Sequence, residues 1–127
     1  MKEKDLIEKL SLKIKDIKKT SNKFDSTDIT SEEWDLVAEL KCRTSHYQTI
    51  LIEKVKYDAL MSSDKTNKRF IVSTPLGIYS WDIETVKMEY PEFRMELMPV
   101  TTEFGDKGEK VLKPVNYLNI NYAKKLY

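Results

Sequence analysis

The sequence predicts an α+β fold in a single domain, with N-terminal helices followed by an antiparallel β-sheet built from hairpins. Three observations carry this. Every glycine (Gly77, Gly105, Gly108) and every proline (Pro75, Pro91, Pro99, Pro114) lies beyond residue 74, so the strongest backbone punctuation is confined to the later part of the chain. Up to about residue 63 apolar residues recur at steps of three and four, the period of a helix. Beyond Lys68 the period falls to two, the period of a strand. The 127 residues are enough for one core, with the helical part at about 1–63 and the β part at about 68–122.

In the first element Ile7, Leu10, Ile14 and Ile17, with Leu6 beside them, stripe one face of an amphipathic helix expected over 2–19. The polar stretch 20–28 reads as the nearest thing to a linker. Thr30 followed by Glu33 has capping-box spacing and would start a second helix near Ser31. Along it Leu36, Leu40, Thr44, Tyr47, Leu51 and Val55 keep to one face. Continued to about Ser62, that helix would be roughly 48 Å long at ~1.5 Å per residue. After the polar break "SSDKTNK", "RFIVST" and "GIYSWDI" are β-branched and aromatic runs split by Pro75 and Leu76, a strand, a turn and a strand. "EFRMELM" alternates Phe93, Met95 and Leu97 with Arg94 and Glu96, as a half-buried strand does. "VTTEFGDKGEKVLKPV" reads as a second hairpin closed by "GDKG", and "NYLNINY" as the last strand.

Hydrophobic residues at 40% and charged residues at 34% describe a globular chain with a heavily charged exterior. No apolar run approaches the ~20 residues of a spanning helix, and the charged N-terminus is no secretory signal, so a cytoplasmic protein with no membrane partner is expected. Cys42 is the only cysteine, which forbids an intramolecular disulfide. Usage of Lys, Ile, Asn and Tyr has the flavour of an AT-rich genome, such as a low-GC bacterium or its phage. The net charge of +1 is patchy. Residues 28–39 carry five acids and no base, 41–69 carry seven bases against three acids, and 82–103 carry six acids against Lys87 and Arg94.

Residues 36–55, with the hairpin after them, resemble a winged helix-turn-helix DNA-binding domain. The resemblance implies a second helix starting at Thr44 that presents Arg43, Ser45, His46, Gln48 and Thr49 to base edges or phosphates, with Lys41, Lys68 and Arg69 as further cationic contacts. The competing reading is one uninterrupted helix over 31–62, whose polar middle is a solvated face.

Catalytic constellations are scarce. Cys42 and His46 are four apart and would share a helix face, but a small half-buried Cys beside a surface His explains them. Asp82, Glu84 and Lys87 fit a solvated sheet face. Nucleases that bind a divalent metal use acids and a lysine near strand ends, and the acid-x-lysine spacing occurs as Glu39-Leu40-Lys41, here expected on a helix. Phosphate-binding and dinucleotide glycine motifs are missing. The sequence therefore predicts no enzyme, no cofactor and no metal. The leading expectation is a small protein-binding regulator or inhibitor, of phage or mobile-element type, acting stoichiometrically through a sheet face that bears Tyr79, Trp81, Glu84, Glu89 and Glu92. A winged-helix transcriptional regulator on duplex DNA is the alternative, and either could be a homo-oligomer.

Overall fold

The run Leu36-Val37-Ala38-Glu39-Leu40 is a strand. All five residues are buried, because the strand lies inside a sheet covered on both faces, and such a strand loses the alternation that marks a half-exposed one. In the computed structural model, which describes residues 1–20, 27–100 and 109–127, the order is α1 (Glu3–Leu10), β1 (Ile17–Lys19), β2 (Ile29–Ser31), β3 (Leu36–Cys42), β4 (Thr49–Glu53), α2 (Lys54–Ser62), β5 (Asn67–Thr74), β6 (Gly77–Asp82), β7 (Arg94–Pro99), β8 (Lys110–Asn119), a 3-10 turn (Ile120–Tyr122) and β9 (Lys124–Lys125). One sheet runs β1-β2-β3-β5-β6-β9, the other β4-β8-β7. The described pairings are antiparallel except β3 with β5, which run parallel from Leu36 opposite Asn67 to Cys42 opposite Ser73. A parallel pair needs a crossover, and β4 and α2 lie within it.

The expectation of helices first and strands after is corrected on two counts. The first helix ends at Leu10, not Lys19: the chain turns, passes through Asp16 at φ 60°, and enters β1. The long helix over 31–62 does not exist. Thr30 lies in β2, Glu33 in the turn to β3, and only the Lys54–Ser62 end is helical. The β5–β6 hairpin and the strand at β7 lie where period two placed them, while the last strand ends at Asn119 and gives way to the 3-10 turn. β7 pairs with β8 from Arg94 opposite Val115 to Pro99 opposite Lys110. Residues 110–115, expected as one arm of a separate hairpin over 100–115, instead run on into 116–119 as the single strand β8, while the "GDKG" closure of that hairpin lies outside the described residues, as does most of the 20–28 linker.

Two apolar clusters form on the two faces of the larger sheet. On one, Leu6, Leu10 and Ile14 cover Leu36, Ala38, Leu40, Ile71 and Ile78. On the other, Val37, Phe70, Val72, Tyr79 and Trp81 pack against Ile50, Ile52 and Leu118 of the smaller sheet and Leu60 of α2. The helix α1 thus keeps the job its stripe predicted, though over two turns only. No helix among the described residues is long and apolar enough to cross a membrane.

Candidate active site

Strand β2 follows β3 only as far as Ala38, opposite Ile29. One residue before β2, the Asp28 amide still donates to the Ala38 carbonyl at 3.0 Å. There the ladder stops, and the Asp28 carboxylate takes its place by accepting from the Leu40 amide at 2.8 Å. The divergence leaves a notch in the ladder beside Glu39, Leu40 and Lys41. On a strand, residues two apart share a face, so Glu39 and Lys41 emerge together; their charged groups are 3.9 Å apart. Helix α2 adds Lys56, whose Nζ lies 3.4 Å from the same Glu39 oxygen, Oε1. From α1, Glu3 reaches Asp28 and, from the outside, Lys19 at 3.9 Å.

Electrostatically this is a strained group. Glu39 is only 2% exposed, and its carboxyl is pushed up to about 8, first by burial and then by the Asp28 charge, with Lys56 and Lys41 pulling the other way. Glu3 is also raised, by partial burial first and by Asp28 next. Asp28 is within hydrogen-bonding reach of both, and its charge helps to raise both. Glu39 Oε2 is the one buried side-chain oxygen or nitrogen among the described residues with no hydrogen-bond partner. Such an orphan is costly unless something else satisfies it.

Among the described residues no three His, Cys, Asp or Glu side chains stand ready together as a ligand set. A magnesium-like cation does not need three: it keeps several waters and uses one or two carboxylates together with substrate phosphate oxygens. Asp28 and Glu39 supply hard oxygen donors of that kind, and the partnerless Oε2 lies among them. The residues fit such an ion.

The sequence named Glu39-Leu40-Lys41 by its spacing and set it aside as helical; the strand restores its meaning. Glu3, Asp28 and Lys56 were missed, because only the β2–β3 register and the docking of α1 and α2 bring them there. Of the residues expected to meet DNA, Lys41, Arg43, Ser45, Gln48 and Thr49 lie along β3, β4 and their connection, and of these Lys41 alone reaches the Glu39 carboxylate. The other three lie apart. His46 turns to Thr74 (Nδ1 to Oγ1 2.9 Å) and the Tyr79 ring, the Lys68 ammonium donates to the Met61 carbonyl, and Arg69 lies opposite Asp82 on β5. The proposed partner-binding face is not assembled. Trp81 is wholly buried, its indole N–H donating to the Asn119 carbonyl, and Tyr79 is buried in the same core, while Glu84, Glu89 and Glu92 are exposed. Cys42 is half-buried, and neither it nor His46 belongs to the carboxylate group.

No protein-family model matches the chain, nor does any curated protein. Among solved structures, the Holliday junction resolvase Hjc of the archaeal hyperthermophile Archaeoglobus fulgidus has a similar fold: TM-score 0.60 at 11% sequence identity, over 98% of this chain and 88% of that one. This corrects the resemblance to winged helix-turn-helix domains, since 36–42 and 49–53 are strands and no recognition helix exists between them. It also overturns the expectation of a non-enzymatic regulator or inhibitor of phage type, and with it the winged-helix transcriptional regulator. The fold is similar to that of a Holliday junction resolvase, and in this chain it gathers acids and lysines where β2 parts from β3.

Proposed function

We propose that the chain is a divalent-metal-dependent nuclease that hydrolyses phosphodiester bonds in DNA. The observation that carries this reading is the notch itself: Glu39 and Lys41 on one strand face, Asp28 capping the Leu40 amide, Glu3 behind it, and a buried Glu39 oxygen without a partner. The fold likeness to a Holliday junction resolvase supports it and makes DNA the first substrate to try.

Asp28 and Glu39 would hold the cation, with Glu3 at its outer side. When bound, the ion supplies Lewis-acid polarisation of the phosphate and of a water. The chain's own part is positional and electrostatic. Lys41 and Lys56 bring two ammonium groups to within 4 Å of the Glu39 carboxylate, a fixed positive pair where a phosphate gains negative charge in the transition state. Both lysine side chains are mostly covered, 22% and 26% exposed, which limits the screening of that pair by bulk water.

The test is cleavage of end-labelled linear duplex, single-stranded and four-way-junction DNA with magnesium or manganese, against the same reactions in EDTA. At least one substrate should be cut only with metal. Asp28→Asn, Glu39→Gln and Lys41→Ala should each slow cutting by about 100-fold or more, the scale on which one preorganised electrostatic group acts. No metal-dependent cleavage of any of the three substrates, with folded protein, would refute the reading.

A further inference from the structure

Beside the notch the surface carries two adjoining depressions, of about 160 and 580 Å³, that share Arg43 and Leu51 in their walls. The smaller opens at Lys41 and Lys56, over an apolar floor of Phe70 and Met98. The larger continues from Arg43 along the β3–β4 connection to Gln48 and Tyr47. Together they make one trough that begins at the candidate active site and leads away from it. Its near end is cationic: Lys41, Arg43, Lys56 and Lys113 against Glu53, which Lys113 holds at 3.1 Å. Its far end offers a ring, Tyr47, which is 60% exposed and has no core role. Tyr117 lines the same stretch, its hydroxyl donating to Glu96.

A cationic stretch followed along a groove by an exposed aromatic ring is what an unpaired polynucleotide uses, its phosphates meeting the cations while its base faces stack. A duplex hides those faces, so Tyr47 would be idle against it. We propose that this trough binds a single-stranded DNA segment adjoining the scissile bond, so that the substrate is DNA with unpaired nucleotides next to the cut. The proposal rests on the nuclease reading for the meaning of the notch, but the binding it requires does not depend on cleavage.

The experiment measures fluorescence anisotropy of fluorescein-labelled dT12 and of a blunt duplex of the same length, with the full chain in EDTA, where nothing is cut. The dT12 should bind several-fold more tightly than the duplex. Tyr47→Ala and Arg43→Ala should each weaken dT12 about tenfold, and Arg43→Ala should also lower the log-log salt slope by about 0.7, the share of one phosphate contact on a single strand. Trp34→Ala, an exposed aromatic before the other end of β3, should change nothing. Circular dichroism melting of each variant separates lost binding from lost folding. Duplex bound as tightly as dT12, or a silent Tyr47→Ala, would overturn the trough even if metal-dependent cleavage is found. Conversely, tight dT12 binding without cleavage under any metal would leave the trough standing and remove the nuclease.

Discussion

At the scale of single residues, Glu39 joins structure to chemistry. In an unfolded chain a glutamate titrates near 4.3; here it is pushed up to about 8, chiefly by burial. Between those values the folded state holds a proton that the unfolded state has released. That contribution to stability is fully present below the unfolded value and is lost as pH rises through about 8. Glu39→Gln removes the titration while keeping the shape. The melting temperature of the variant minus that of the parent should therefore increase from pH 6 to pH 9, and a constant difference would show that Glu39 does not titrate this way. Metal binding must displace the same proton. Manganese affinity by calorimetry should accordingly rise with pH up to about 8, by at most tenfold per unit for one proton, and the heats in buffers of different ionisation enthalpy should report its release. Affinity independent of pH between 6 and 8 would exclude Glu39 as the ligand.

At the scale of elements, the larger sheet is closed at its far edge by a two-residue strand. β9 pairs with β6 at Tyr79 and Ser80, and beyond it the Leu126 amide donates to the Ile78 carbonyl at 2.8 Å while the Ile78 amide donates to that of Tyr127 at 3.2 Å. Gly77 makes this approach feasible. At φ 150°, a Cβ there would overlap the Tyr127 carbonyl oxygen and crowd the Lys125 side chain. Gly77→Ala should free the C-terminal residues, seen as faster amide exchange at Leu126 and Ile78 with no change in the β3 amides around Glu39; unchanged exchange at Leu126 would mean that the terminus docks without this glycine. The β5–β6 hairpin could be read from sequence because its turn residues interrupt two β-branched runs. β3 could not, since residues 36–40 are buried on both faces and a run of apolar residues broken only by Glu39 carries no period of two. The misreading then hid the site. Glu39 and Lys41 diverge on a helix and coincide on a strand, so the same spacing changes meaning with the element that bears it. Glu3 and Asp28 had no signal of their own, because their approach depends on how α1 packs and on where β2 parts from β3.

At the scale of the whole molecule, the parallel pair β3–β5 is the partition between two cores. Leu10 of α1 is wholly buried against one face, and Ile52 of β4, 1% exposed, packs against the other. Neither belongs to the other's cluster, so what joins them is the sheet between. Truncating either leaves a cavity that its neighbours fill incompletely, and Leu10→Ala or Ile52→Ala should each cost about 2–5 kcal/mol. Because the two sites share no partner, the double variant should lose the sum of the single losses to within about 0.5 kcal/mol, provided that it still folds. Chemical denaturation followed by tryptophan fluorescence and by circular dichroism, in a Trp34→Phe background that leaves Trp81 as the fluorophore, would decide this, since Trp81 lies in one cluster only. Coincident transitions and additive losses are expected of one cooperative unit with two independent faces. If Leu10→Ala instead separates the transitions, leaving the Trp81 signal behind while secondary structure is lost, the face bearing α1 unfolds on its own. Glu3, which depends on that helix for its place, would then be delivered to the notch by a folding step separable from the rest.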